Sequence, residues 1–344
     1  MTMSGGRTAR IAVIGAGAIG GVTAAYLAAA GYDVTLVCRS EPSAALIRER
    51  GLIIHGLRGA SCRPLAAVAA IEQLAGSYDY ILIVTKAYDL QQAALRALPY
   101  LAKCGLIVSL QNGMCLDLLE QTVGAGHAAA CVVSWSCTQI APGELDFTGE
   151  GGFVIGCRGN GKSALPGLRQ ALDKVAPTRI ADDILAEIYA KLIINSGVTC
   201  GGALSGESLG RMLRRPVARA LFIALVREDL ALAEALGLQV PPFGGRLDYY
   251  RFAAGEGLIA RLRRQLILLA IGRRYRKLTS SSLTALRRGQ PTEVDFLNGW
   301  IAARARELGV ATPVNERLVA MIKEIEQGKR PISPANLDEL MGKI

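Results

Sequence analysis

The stretch IAVIGAGAIG, residues 11–20, decides the fold. Ile11 to Ile14 form a short, largely β-branched run, and Gly15, Gly17 and Gly20 then give the spacing G-x-G-x-x-G where a strand would turn into a helix. In such a turn the first glycine permits the tight bend. The second lets a pyrophosphate approach the backbone, and the third lets helix pack closely on strand. The phosphates would face the helix N-terminus, whose free N–H groups and dipole favour anions. Gly15, Ala16, Gly17, Ala18, Ile19 and Gly20 are therefore the expected dinucleotide cradle, weighed against a glycine-rich packing turn. The uncharged segment Ile11 to Tyr32 follows Arg7 and Arg10, as a signal peptide or membrane span might be placed. Gly15, Gly17, Gly20 and Gly21 suit strand, turn and helix better than a hydrophobic helix.

Outward from this stretch the pattern repeats. Residues 18–30 read as a helix stopped by Gly31, and 33–37 (DVTLV) as the next strand, completing a βαβ unit. Apolar runs at 80–85 and 105–110 alternate with helical stretches, which predicts a parallel sheet with helices on both faces. Residues 128–156, with a Pro142-Gly143 turn, predict antiparallel strands that close the domain near 180. Beyond that point 183–204, 216–236, 249–276, 291–309 and 313–327 show helical spacing. The expected fold is an α/β, Rossmann-like dinucleotide-binding domain over residues 1–180, followed by an all-α domain over 181–344.

Composition narrows the class. A chain of 344 residues with 51% apolar and 20% charged residues can bury a large core, and neither a disordered nor a disulfide-scaffold class fits. Two histidines, His55 and His127, are too few for a His-rich metal site or for most Ser-His-Asp arrangements, so no metal is expected. The formal net charge of +10 would attract phosphates or carboxylates. The eight cysteines contain no C-x-x-C pair and read as reduced packing residues of a cytoplasmic protein.

Several residues stand where chemistry is expected. At the end of the second strand, where an NAD enzyme keeps a carboxylate for the ribose 2′-hydroxyl, the sequence is Val37-Cys38-Arg39-Ser40. Arg39 could pair with a 2′-phosphate, which favours NADP(H), or be an ordinary solvated arginine. Lys86 and Asn112 fall at the carboxyl ends of the strands at 80–85 and 105–110, where open α/β sheets bind ligands. Lys191 is the one basic residue between Arg179 and Arg211, and Asn195 and Thr199 follow at i+4 and i+8 on an otherwise apolar helix. A desolvated lysine could act as a general acid, while Glu187 four residues earlier could make it half of an ordinary ion pair. Thr279-Ser280-Ser281-Ser282 precedes a helix start, and Pro291-Thr292-Glu293-Val294-Asp295 opens another.

Taken in order, GAGAIG at 15–20, VTKAY at 84–88, QNG at 111–113, KLIIN at 191–195, Ser280-Ser281, and RRGQPTEVDFLNG at 287–299 resemble the ketopantoate reductase (2-dehydropantoate 2-reductase) family. The match spans nearly the whole chain. The resemblance implies NADPH-dependent reduction of a small anionic 2-keto acid. It implies that the glycine loop, Arg39, Lys86 and Asn112 serve the cofactor, and that Lys191 donates the proton. Asn195 and Ser281 would bind substrate, and Glu293 would be a carboxylate of the catalytic site.

Two departures bear on substrate: Thr199 stands where the family commonly has a second Asn, and Thr284-Ala285 where it commonly has Gln-Asp. These open the alternatives of a different branched or aromatic 2-keto acid, or a non-catalytic NADP(H)-binding sensor. A basic stretch at 261–277, with no acid, reads as a solvated helix face with an apolar packing side, a positive rim, or a surface for membrane or nucleic acid. No recognition motif accompanies it, so neither nucleic acid nor membrane is expected as a partner. A homodimer is left open.

Overall fold

The computed structural model describes residues 8–342. The chain forms two compact units, one running to Gln111 and resuming over Cys115–Ile184, the other made of Asn112–Met114 and the chain from Leu185 onward.

The first unit opens with β1 (Arg10–Ile14), α1 (Ala18–Ala29), β2 (Asp33–Val37) and α2 (Glu41–Arg50). Then come β3 (Leu52–Gly56), β4 (Ser61–Arg63), β5 (Ala66–Val68), β6 (Tyr78–Ile83), α3 (Leu90–Ala97), β7 (Leu101–Ser109) and α4 (Leu116–Val123). It continues through β8 (Ala128–Val133), β9 (Ser136–Ala141), β10 (Glu144–Gly149), β11 (Phe153–Gly156), α5 (Leu165–Leu172) and β12 (Thr178–Ile180). Eight strands make one sheet in the order β12-β11-β8-β7-β6-β1-β2-β5. Ile11, Ala12 and Val13 of β1 are fully buried, as an uninterrupted apolar strand must be when both faces of a parallel sheet are covered.

The region 128–156 differs from the antiparallel expectation in part. Strand β8 runs parallel to β7 and β11 antiparallel to β8, while β9 and β10 leave the main sheet as a hairpin. The hairpin joins β3 and β4 in a second sheet of order β4-β3-β10-β9, which the sequence reading missed. Trp135 explains the departure, since it stacks on Phe147 of the hairpin at 5.4 Å and meets Phe153 of β11 edge-on at 5.7 Å. The cysteines also divide. Cys38, Cys115, Cys131, Cys157 and Cys200 are buried as packing residues, but Cys62 and Cys104 are exposed.

The second unit is helical: α6 (Ile184–Ser205), α7 (Leu209–Met212), α8 (Pro216–Ala235), α9 (Tyr249–Ala253), α10 (Leu258–Arg274), α11 (Ser281–Arg287), α12 (Asn298–Glu307), α13 (Pro313–Glu326) and α14 (Ala335–Gly342). The helix expected over 249–276 is broken between α9 and α10 at Gly255-Glu256-Gly257, and that expected over 291–309 begins at Asn298, after a single 3-10 turn at Val294–Phe296. Among the described residues no helix is long and apolar enough to cross a membrane.

Candidate active site

In the first unit the glycine loop sits where three strand ends meet. The Gly15 N–H donates to the Val37 carbonyl at 3.0 Å, and the Val84 N–H donates to the Ile14 carbonyl at 2.8 Å. The ends of β2 and β6 are thereby tied to the turn. Gly15 adopts φ +115°, and a Cβ there would lie 2.9 Å from the Val84 carbonyl carbon. At Gly20 a Cβ would fall 2.0 Å from the Gly15 oxygen, so this glycine is required by the turn itself. Gly17 is different: it is exposed, and a Cβ would meet nothing within 4 Å. Gly17 also caps α1, whose first turn holds no acidic residue. An anion at this N-terminus would meet N–H groups and a helix dipole with no competing carboxylate.

Arg39 is exposed one residue beyond buried Cys38, whose N–H donates to Val68 at 2.8 Å. The nearest acid in sequence, Glu41, is paired with Arg48 and sits in the first turn of α2. Half-buried Lys86 follows β6 and caps the 3-10 turn Ala87–Asp89. Next to it, the Gln111 amide reaches the Thr85 hydroxyl at 3.5 Å, and the Ser109 hydroxyl donates to Gln111. These contacts order the carboxyl ends of β6 and β7 relative to each other.

In the second unit the structure brings together segments far apart in sequence. Lys191, Asn195 and Thr199 lie at four-residue spacing on one face of α6. The Asn195 amide donates to the Asn112 side-chain oxygen at 3.5 Å. Asn112 thus belongs with Lys191 and Asn195, although it comes only three residues after the end of β7 in the first unit. Gly113 explains the attachment: with φ +92°, its Cα lies so close to Phe296 that a Cβ would stand 2.3 Å from the Phe296 oxygen. The Met114 N–H donates to that same carbonyl at 3.3 Å. The turn carrying Phe296 begins at Glu293, which is buried and caps it.

The serine segment is sorted by its hydrogen bonds. Ser280 donates to the Thr199 carbonyl at 2.7 Å and accepts from the Leu283 N–H at 2.9 Å, so it is both the cap of α11 and its tie to α6. Ser282 is buried, while Ser281 is exposed at the first position of the helix. Thr199 is itself buried.

Sequence reasoning missed the polar network under α6. Asp229, fully buried on α8, accepts from the Ser196 hydroxyl at 2.8 Å and from the Asn315 amide at 3.0 Å. The Asn298 amide donates to the Asn315 side-chain oxygen at 2.8 Å and to the Ser196 carbonyl at 3.4 Å. The Glu228 carboxylate accepts from the backbone N–H groups of Val314 and Asn315, at 2.8 and 3.0 Å. Burial pushes the Asp229 carboxyl up to about 8, against the opposing effect of the Ser196 and Asn315 hydrogen bonds. The network fixes α6 one residue past Asn195. Its only trace in the sequence is a polar residue on the apolar face of each helix.

A Rossmann-type sheet with an open glycine turn, followed by a helical unit that gathers Asn112, Lys191 and Asn195, defines a two-domain protein of the dinucleotide-binding class. The chain belongs to the ketopantoate reductase family: the family described as "Ketopantoate reductase PanE/ApbA" matches residues 11–160, and its C-terminal counterpart matches residues 183–326. A 2-dehydropantoate 2-reductase of Pyrococcus abyssi is 28% identical over 335 residues, covering 93% of this chain and all of the relative. One from Archaeoglobus fulgidus is 27% identical, covering 94% and 99%. The crystal structure of a PanE/ApbA family ketopantoate reductase from Ralstonia eutropha superposes with a TM-score of 0.78 at 28% identity, over 93% of this chain and 99% of that one. D-mandelate dehydrogenase in complex with NADH and anilino(oxo)acetate shares the fold, with a TM-score of 0.79 at 21% identity over 93% and 99% of the two chains.

Proposed function

We propose that the protein is an NADPH-dependent reductase of a small 2-keto acid, forming the 2-hydroxy acid. The observation that carries this reading is the convergence on one face of α6, where Lys191 and Asn195 share a stripe and Asn195 reaches Asn112 from a separate segment at 3.5 Å. Family membership and the relatives' names support the reaction class.

The residues present fit a nicotinamide dinucleotide. The open side of Gly17 and the acid-free start of α1 would take the pyrophosphate, Arg39 the 2′-phosphate, and Lys86 a further phosphate oxygen, with Asn112 toward the nicotinamide. When bound, NADPH would supply the two electrons and one hydrogen delivered to the substrate's carbonyl carbon.

The rest of the chemistry belongs to the chain. Lys191 donates a proton from Nζ to the carbonyl oxygen, so that no alkoxide is left in the product. Asn195 and Ser281 hydrogen-bond the substrate, and Glu293, buried at the start of its turn, contacts the substrate hydroxyl or orders the site. Thr199, buried where the family commonly has Asn, offers a hydroxyl and a methyl in place of an amide. Ketopantoate stands first among the candidate substrates, and the altered lining raises another branched or aromatic 2-keto acid as the alternative. The net charge of +10 suits an anionic substrate, and the reading includes a cytoplasmic enzyme that binds no nucleic acid.

The test is NADPH oxidation across a panel of 2-keto acids, ketopantoate included, with Lys191→Ala as the comparison. Loss of a general acid lowers kcat about a hundred- to ten-thousand-fold, with NADPH affinity and melting temperature nearly unchanged. An Ala variant within a few-fold of wild type on the best substrate refutes the assignment.

A further inference from the structure

The short turn that carries Glu293 is held on both sides by one face of α13. Ahead of Glu293, the buried Thr292 donates its N–H and its hydroxyl to the same oxygen, Glu326 Oε1, at 2.8 and 2.6 Å. The Thr292 hydroxyl also accepts from the Val294 N–H at 3.2 Å, which ties the residues before and after Glu293 to each other. Beyond Glu293, Asp295 accepts from Lys323 Nζ at 2.5 Å. Lys323 stands one helical turn before Glu326 on α13 and pairs with it at 3.1 Å. Burial pushes the Glu326 carboxyl up, but the bonds from Thr292 and the charge of Lys323 outweigh it and hold the group below its ordinary value, ionised and accepting. The turn closes where the Phe296 N–H donates to the Glu293 carbonyl at 3.0 Å, and the Phe296 carbonyl in turn accepts from Met114, two residues past Asn112.

We propose that Glu326, braced by Lys323, is a positioning residue for the reaction: it clamps the turn so that the Glu293 carboxylate and Asn112 keep a fixed relation. This assignment rests on the reading of Glu293 as a carboxylate of the site. A glutamate side chain turns about three bonds, so its carboxylate is placed only if the backbone beneath it is fixed. The turn cannot do this alone, because a single 3-10 turn is short and its hydrogen bonds are poorly aligned. Glu326 supplies what the turn lacks. Thr292 is buried, so without Glu326 its N–H and hydroxyl would both lose their acceptor in a place where unpaired donors are costly, and the segment would shift to satisfy them. Glu293, the next residue, would shift with it. An ordinary surface ion pair would account for Lys323 with Asp295, but not for two neutral donors of one buried residue converging on one oxygen of Glu326.

A double-mutant cycle on kcat/KM, measured with the best 2-keto acid of the panel, tests the clamp. Displacing a reacting group by about an ångström costs on the order of a hundredfold, so Glu326→Ala should lower kcat/KM by about that factor in the otherwise unsubstituted chain. Once Glu293 is already alanine the same change should cost less than about threefold, because the group it positions is gone. Glu326→Gln keeps Oε1 as an acceptor for both Thr292 donors and should stay within about threefold of wild type. Thr292→Val keeps the side chain's shape, removes the shared hydroxyl, and enters the same cycle if Glu326→Ala does not fold; its loss should likewise vanish in the Glu293→Ala chain. Losses that multiply in the double variant overturn the proposal, as does a Glu326→Gln chain as impaired as Glu326→Ala, and the role of Glu293 survives either result. A Glu293→Ala chain with wild-type kcat/KM refutes that role and the proposal with it.

Discussion

Two glycines of the same motif should fail in opposite ways when changed to alanine. At Gly20 the new Cβ would stand 2.0 Å from the Gly15 oxygen and 3.3 Å from the Val84 Cβ. Ordinary contact needs about 3.5 Å, so the Gly15 carbonyl must retreat by more than an ångström. It cannot do so freely, because Gly15 is held at φ +115° and its N–H is bonded to Val37 at 3.0 Å. Overpacking of this kind costs about 3 kcal/mol, which for a unit of this size lowers its melting temperature by roughly 6–12 °C. At Gly17 the backbone is at φ −74°, which alanine adopts without strain, and the added methyl meets no protein atom within 4 Å. Stability should change by no more than about 1 kcal/mol, the difference between Gly and Ala as a helix cap. The methyl would instead occupy the approach of the pyrophosphate, so NADPH affinity should fall at least about tenfold, or ~1.4 kcal/mol. Thermal melting of both variants and fluorescence titration with NADPH separate the two effects. The cradle assignment is refuted if Gly17→Ala binds NADPH within two- to three-fold of wild type, and the packing argument if Gly20→Ala melts like wild type.

Two further outcomes are expected. Arg39→Asp should weaken NADPH at least about tenfold while leaving NADH nearly unchanged, since a lone carboxylate repels a 2′-phosphate but accepts from a 2′-hydroxyl; equal binding of both cofactors by the wild type removes the basis for this role. With its carboxyl raised from the ordinary 3.8 to about 8 by burial, Asp229 is protonated in the folded chain and ionised in the unfolded one between those values. Its contribution to stability is therefore complete below about pH 4 and withdrawn as pH rises through 8, with a limiting slope of about 1.4 kcal/mol per pH unit. Asp229→Asn, which keeps the shape and cannot ionise, should be more stable relative to wild type at pH 8 than at pH 5. Denaturant titrations at the two pH values check this, and parallel curves would count against a buried neutral Asp229.

Local signals were enough for much of this protein. The Gly15–Gly20 turn, the β-branched run before it and the helical spacing after residue 183 each depend on neighbours within a few positions, so the Rossmann-type unit and the helical unit could be read directly. The stripe of Lys191, Asn195 and Thr199 was visible for the same reason, because helix periodicity alone puts them on one face. What the residues around that stripe do was settled elsewhere. Ser280, not Ser281, took the capping role because only its hydroxyl meets the Thr199 carbonyl, 81 residues away. Asn112 follows a strand of the first unit in sequence but packs with the second, since Gly113 allows the Phe296 carbonyl to approach. Asp229, which no local pattern singles out, is a buried carboxyl because Ser196 of α6 and Asn315 of α13 close over it. The leucines of α10 looked like a packing side, yet the helix turned Arg264 inward because three backbone carbonyls waited there for a donor. Hydrogen-bond partners of this kind come from distant segments, and no pattern of near neighbours encodes which one will arrive. Periodicity within one segment determined the elements and their faces; only the meeting of segments in three dimensions decided which polar groups each face would satisfy.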